Sequence, residues 1–209
     1  MVKVFEGGEP LKIEQVEELN IDEIILKICS IGDYQVGKTS LIHRYAENVF
    51  SEDYLPTLGV DITTKRIIVD DTPIKLILMD TAGQEQFGRI RRSYFLGCAG
   101  CLIVYDVTRR DSFESLERWV REFRSGQQRE NKPIAIIGNK NDLKQERQVG
   151  RQEGESFAKV MANVSFYECS AKLGGPEIPR IYENISRQYL KSVQSGRNRG
   201  DKEPTMVTR

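Results

Sequence analysis

The stretch EIILKICSIGDYQVGKTS, residues 23–40, decides how this chain is read. Its first half is an apolar, β-branched run of strand length. Its second half, GDYQVGKTS at 32–40, fits the frame Gly-x-x-x-x-Gly-Lys-[Ser/Thr] through Gly32, Gly37, Lys38 and Thr39. A strand that enters such a loop and leaves it as a helix, beginning near Lys38, is the setting in which backbone N–H groups wrap a phosphate. Val36 to Thr39 supply those groups, Lys38 reaches the β- and γ-phosphates, and the Thr39 hydroxyl is placed to bind Mg2+. Gly32, Tyr34, Gln35, Gly37 and Ser40 complete the expected lining. Tyr34 and Gln35 are unusual there, a bulky ring and a long amide where the chain must pass close to phosphate. By itself the motif says nucleotide, not which one.

Outward from this unit, short β-branched runs alternate with helical patterns, the layout of a largely parallel sheet covered by helices. VDITTKRIIVD and TPIKLILMD flank Asp71-Thr72-Pro73 and read as a hairpin that adds one antiparallel edge strand. Buried-strand candidates follow at 100–107, 132–140 and 164–170. Helices are expected over roughly 111–126, with Leu116, Trp119, Val120 and Phe123 on one face, over 150–161, and over 176–192 with Ile178, Ile181, Ile185 and Leu190. The expectation is a single α/β P-loop NTPase domain over 22–192, with six mostly parallel strands and about five helices. An acidic N-terminal extension, 1–21, carries Leu11, Ile13, Val16 and Leu19 at the spacing of a short helix. A tail, 193–209, lacks apolar pattern and is expected to be disordered.

Composition narrows the function classes. Lys+Arg 31 balances Asp+Glu 31, so no net charge draws the 209-residue chain to nucleic acid or an anionic membrane. A content of 39% hydrophobic and 30% charged residues is that of a globular domain. No apolar run approaches the ~20 residues that a bilayer requires, and MVKVFEGGEP lacks the layout of a signal peptide. A cytoplasmic protein is expected. Cys98 and Cys101 form a Cys-x-x-Cys, but His43 is the one histidine and there is no second cysteine pair. A zinc site would lack two ligands, so Cys29, Cys98, Cys101 and Cys169 read as reduced thiols in or near the core.

Four further blocks sit at strand ends or just beyond, where open α/β sheets bind ligands. In DYLPTLGVD, 53–61, Thr57 follows Thr39 by 18 residues, with Tyr54 and Pro56 beside it. A hydroxyl on a loop there can close on Mg2+ and sense a γ-phosphate. In DTAGQE, 80–85, Asp80 can hold Mg2+ through water, the Gly83 N–H can contact the γ-phosphate, and Gln84 can orient an attacking water. In NKND, 139–142, Asp142 offers a carboxylate to the N1–H and N2–H of guanine, which adenine cannot match. Asn139 can tie the base to the phosphate loop, and the Lys140 stem can lie along the base. In SAK, 170–172, the Ala171 N–H can meet guanine O6, Lys172 backs the other side of the base, and Ser170 opens the turn.

With these five blocks the chain resembles the Ras superfamily of small GTPases, most closely the Rab branch, over about 22–192. The wording LGVDI, LMDTAGQEQF, YDVT and ECSAK carries the likeness. The resemblance implies a switch that binds GTP or GDP with Mg2+ and hydrolyses GTP, with loops 50–62 and 82–94 changing with nucleotide state. It implies Phe50 packed edge-on against the base, Gln84 positioning water, and Lys38 and Mg2+ neutralising charge as the two catalytic aids. Effector proteins, an exchange factor and a GTPase-activating protein are the implied partners of a monomer.

Three features depart from the family pattern. No cysteine follows Cys169, so a prenyl anchor is not expected on this sequence, and membranes are expected to be reached only peripherally, through a partner. Met79 stands where Rab members commonly carry tryptophan. Tyr34 and Gln35 stand where the family usually has small residues, and a side chain at 34 projects toward the γ-phosphate, so slow intrinsic hydrolysis is expected. Arg89, Arg91 and Arg92 read as the solvated face of a mobile helix, with recognition of an acidic partner as the alternative. A second reading keeps the fold but makes the protein a GTP-loaded interaction module with little or no hydrolysis. A third, an ATP-using P-loop enzyme, fails on NKND and SAK.

Overall fold

In a computed structural model of the chain, residues 5–6, 9–10, 23–51, 57, 59–81, 94–127 and 131–197 are described. Strand β1 (Ile24–Ile31) lies in the interior of a six-stranded sheet. Around it are β2 (Val60–Val69), β3 (Thr72–Thr81), β4 (Cys98–Asp106), β5 (Ile134–Asn139) and β6 (Val164–Glu168), in the order β2-β3-β1-β4-β5-β6. All neighbours run parallel except β2 and β3. The expected six-strand sheet with one antiparallel edge strand is therefore present.

Strands β4 and β5 are buried along their whole length, which is why they read as unbroken apolar runs rather than alternating ones. Helices α1 (Lys38–Glu47) and α5 (Glu177–Arg197) pack on one face of the sheet, where Tyr45 and Tyr182 stack with ring centroids 3.8 Å apart. Helix α3 (Leu116–Ser125) packs on the other, burying Leu116, Trp119, Val120 and Phe123 as the 3.6-residue spacing predicts. Phe157 of α4 (Arg151–Lys159) joins that second cluster. All four cysteines are buried and free.

Several boundaries differ from the sequence reading for local reasons. The β2–β3 turn is Asp70–Asp71, with φ of 49° and 61°, and Thr72 and Pro73 already belong to β3. Two consecutive left-handed residues match the strand twist as a type I′ turn does. The helical stretch after β4 is broken at Ser115 into α2 (Arg110–Glu114) and α3. Helix α5 continues to Arg197, five residues past the expected end, and the Ser195 hydroxyl bonds the Lys191 carbonyl at 2.9 Å in its last turns. Ahead of the sheet, Phe5–Glu6 and Glu9–Pro10 pair antiparallel; the helix expected around Leu11–Leu19 lies outside the described residues.

Candidate functional site

The loop between β1 and α1 is shaped by backbone that few side chains tolerate. Gly32 has φ 138°, and a Cβ there would overlap the Val104 carbonyl oxygen. Gly37 has φ 92° and opens α1 with no side-chain cap. The first N–H groups of the helix therefore remain available to an anion. Gln35 sits at φ 62°, a left-handed position that suits glycine better. The Lys38 ammonium, nearly buried, donates to the carbonyls of Gly32 at 3.0 Å and Asp33 at 2.7 Å, which holds it against the loop. Tyr34 is 38% exposed.

Three oxygen-bearing side chains meet at the start of α1. Thr39 Oγ1 donates to Asp80 Oδ2 at 2.5 Å and lies 2.9 Å from Thr57 Oγ1, which itself donates to Asp80 Oδ2 at 3.2 Å. These are the three residues expected to hold Mg2+, brought together from α1, a loop and the end of β3. Asp80 is almost fully buried, and its Oδ1 has no hydrogen-bond partner among the described residues. Burial raises the Asp80 carboxyl above its ordinary value, against the opposing pull of the Thr39 hydroxyl and Lys38. A buried, half-satisfied carboxylate flanked by two hydroxyls is an all-oxygen donor set suited to a hard divalent cation.

At the far end of the loop, Asn139 joins two blocks that are distant in sequence. Its Nδ2 donates to the Val36 carbonyl at 2.9 Å, and its Oδ1 accepts the Ala171 N–H at 3.0 Å. The Ala171 amide expected to meet a base oxygen is thus already engaged, and any such contact would be shared. Lys140, at φ 63°, places its ammonium 2.6 Å from Asp106 Oδ2, which fixes the side chain's far end. Asp142 Oδ1 is buried without a hydrogen-bond partner among the described residues. An unpaired carboxylate oxygen facing no donor costs stability unless a ligand supplies one, and paired N–H groups on a purine edge would do so. Ser170 Oγ accepts the Leu173 N–H at 3.0 Å, which closes the turn that carries Ala171 and exposed Lys172.

Three contributors escaped the sequence reading. Arg44 donates to the carbonyls of Ala171 and Lys172, both at 2.9 Å, and its guanidinium lies 6.0 Å from the Phe50 ring centroid. Arg109 donates to the Tyr34 carbonyl at 2.8 Å. Trp119, foreseen as core, also donates its indole N–H to Asp33 Oδ1 at 2.7 Å. Phe50 is half-buried against the α1–α5 side of the core, and Ser40 is part of α1. Tyr54, Pro56, Gly83, Gln84, Arg89, Arg91 and Arg92 lie outside the described residues. No helix among the described residues is long and apolar enough to cross a membrane.

Known proteins resemble this chain over most of its length. The family model described as "Ras family" matches residues 27–191. The chain is 44% identical over 163 residues to "Ras-related protein Rab-11B" of Dictyostelium discoideum, a match covering 78% of this chain and 73% of that relative.

Proposed function

The chain belongs to the Ras family of small GTPases, on its Rab-like branch, and from that premise we propose a guanine-nucleotide switch that binds GTP or GDP with Mg2+ and hydrolyses GTP slowly. Loops 50–62 and 82–94 would change with nucleotide state and select effectors, an exchange factor and an activator. The observation that carries the base assignment is Asp142 Oδ1, buried and without a hydrogen-bond partner among the described residues. It stands two residues beyond Lys140 and three beyond Asn139, which is bonded to the phosphate loop.

In this reading Lys38 and the N–H groups of Val36, Gly37, Lys38 and Thr39 bind the β- and γ-phosphates, within the loop framed by Gly32, Tyr34, Gln35 and Ser40. Thr39, Thr57 and Asp80 hold Mg2+. The ion would supply charge neutralisation at the phosphate oxygens. Gln84 orients the attacking water, and the Gly83 N–H contacts the γ-phosphate, as the family resemblance implies. Asp142 reads guanine between the stems of Lys140 and Lys172, with Phe50 and Tyr54 flanking the nucleotide and Ser170 and Ala171 bordering the base. The protein acts as a monomer in the cytoplasm, and partners bring it to membranes peripherally.

A second reading is a GTP-loaded interaction module. It is favoured by Tyr34, an exposed ring inside the loop whose backbone is tied by Arg109. Nucleotide extracted from the purified protein, followed through a single turnover of added GTP, separates the two. GDP appearing over the time course supports the switch; GTP persisting for hours supports the module. Absence of any bound guanine nucleotide removes both.

A further inference from the structure

Asp33 puts a carboxylate, the only one in residues 32–40, inside the loop assigned above to the phosphates. A negative charge free to face those phosphates would repel them. It is not free. The Asp33 side chain is 14% exposed, and its Oδ1 is gripped from helix α3 by Trp119 Nε1–H at 2.7 Å and Arg118 Nη2–H at 3.0 Å. The Arg118 guanidinium also lies 5.1 Å from the Trp119 ring centroid, so the two donors support one another. The neighbouring backbone is fixed as well. The Asp33 carbonyl accepts from Lys38 at 2.7 Å, and the Tyr34 carbonyl accepts from Arg109 at 2.8 Å.

Trp119 is 1% exposed and packs in the core, a role that needs only its ring. Its N–H serves the loop instead. We propose that Trp119 and Arg118 are positioning residues of the nucleotide site, holding and neutralising the Asp33 carboxylate on the α3 side and thereby setting how well the loop tolerates the extra phosphate charge of GTP relative to GDP. The proposal rests on the guanine-nucleotide reading above. It differs from a packing role in its dependence on ligand charge. A loosened core weakens GTP and GDP alike, whereas a released carboxylate penalises GTP more.

The test is the affinity of full-length protein for GDP and for a non-hydrolysable GTP analogue, each competed against a fluorescent guanine nucleotide in the presence of Mg2+. Trp119→Phe keeps the ring and removes the donor. It should weaken the GTP analogue about tenfold, the scale of one hydrogen bond to a charged group, and GDP distinctly less. Adding Asp33→Asn to Trp119→Phe should return the GTP-to-GDP ratio to that of wild type. Should Trp119→Phe not fold, Arg118→Met supplies the same arm, because the Arg118 side chain is 44% exposed and leaves no core cavity. Equal weakening of both nucleotides, no weakening, or a ratio that Asp33→Asn leaves unchanged overturns the proposal. Trp119 is the chain's one tryptophan, so Asp33→Ala should shift the protein's indole emission, and an unshifted spectrum overturns the contact itself. A wild-type protein that binds no guanine nucleotide overturns the parent reading and this one with it.

Discussion

Asn139 and Gly37 leave no room for a methyl group between them: a Cβ built on Gly37 would overlap Asn139 Nδ2. The same amide donates to the Val36 carbonyl and accepts from the Ala171 N–H, so one side chain at the end of β5 ties the loop proposed for the phosphates to the one proposed for the base. Gly37→Ala should therefore push the two apart and also strain a residue at φ 92°. Asn139→Ala should strand two buried backbone groups and destabilise the fold by about 2–4 kcal/mol. Thermal unfolding of the two variants, with and without GDP, checks this. Gly37→Ala should lose most of the GDP-dependent rise in Tm, and Asn139→Ala should also melt lower without ligand.

Asp142 should decide the base. Its buried Oδ1 has no donor among the described residues, and the proposed function supplies one from the ligand. Asp142→Asn turns that acceptor edge partly into a donor and should cost guanine nucleotide about 100-fold in affinity, as expected where buried polar groups are left mismatched. Xanthine nucleotides, which carry a carbonyl in place of the exocyclic amine, should gain. Competition binding of GDP and XDP to both proteins reads this directly, and unchanged guanine affinity refutes the assignment.

Asp80 is held in a state that metal should relieve. Burial raises its carboxyl, and among the described residues Thr39 and Thr57 satisfy only Oδ2 and nothing bonds Oδ1. Removing the charge with Asp80→Asn should raise the Tm of the nucleotide-free, metal-free protein by roughly 2–4 °C, the shift that ~1 kcal/mol produces at this size. The same substitution should abolish the extra stabilisation that Mg2+ gives the GDP-bound protein. Melting curves in excess chelator and in excess Mg2+ separate the two effects.

Much of this was legible in the sequence because it rests on side-chain identity and local period. The runs in β4 and β5 announce strands buried on both faces, and Thr39, Thr57 and Asp80, grouped by type and spacing in the sequence, do meet in the structure. The contacts that were not legible end on backbone carbonyls or join residues far apart in the chain. Arg109 reaches Tyr34 across 75 positions, Trp119 reaches Asp33 across 86, and Arg44 reaches Ala171 across 127. A carbonyl acceptor has no residue-type signature, so no motif marks its donor. The break at Ser115 and the turn at Asp70–Asp71 were missed because each depends on a φ/ψ choice that neighbouring residues permit but do not dictate.

Arg44 offers a direct measure of one such hidden contact. Its guanidinium holds the carbonyls of Ala171 and Lys172 and lies over Phe50, all on the side proposed for the base. Arg44→Ala should loosen that side and speed GDP release about tenfold, with a smaller change in the hydrolysis rate of bound GTP. Arg44→Lys should not restore slow release, because a single ammonium cannot reproduce the planar fork that spans two carbonyls. Stopped-flow displacement of a fluorescent GDP gives the release rates, and a lysine variant as slow as wild type would contradict this account.

In the proposed reading, Tyr34 should affect the rate of GTP cleavage more than nucleotide affinity. Its carbonyl is fixed by Arg109 and the next residue, Gln35, is left-handed, so backbone contacts help to set the loop's path at this point. Tyr34→Gly removes the ring and keeps the carbonyl that Arg109 holds. If the ring crowds the space where water and an activator's arginine must meet the γ-phosphate, its loss should speed single-turnover hydrolysis about tenfold or more, the scale of placing one catalytic group. Affinity for GDP should stay near that of wild type. Arg109→Ala provides the contrast: it frees the loop backbone while keeping the ring, and should weaken both nucleotides without raising the rate. Equal hydrolysis rates for wild type and Tyr34→Gly would mean that the ring lies clear of the reacting phosphate, and the slow turnover proposed for this chain would then need another cause.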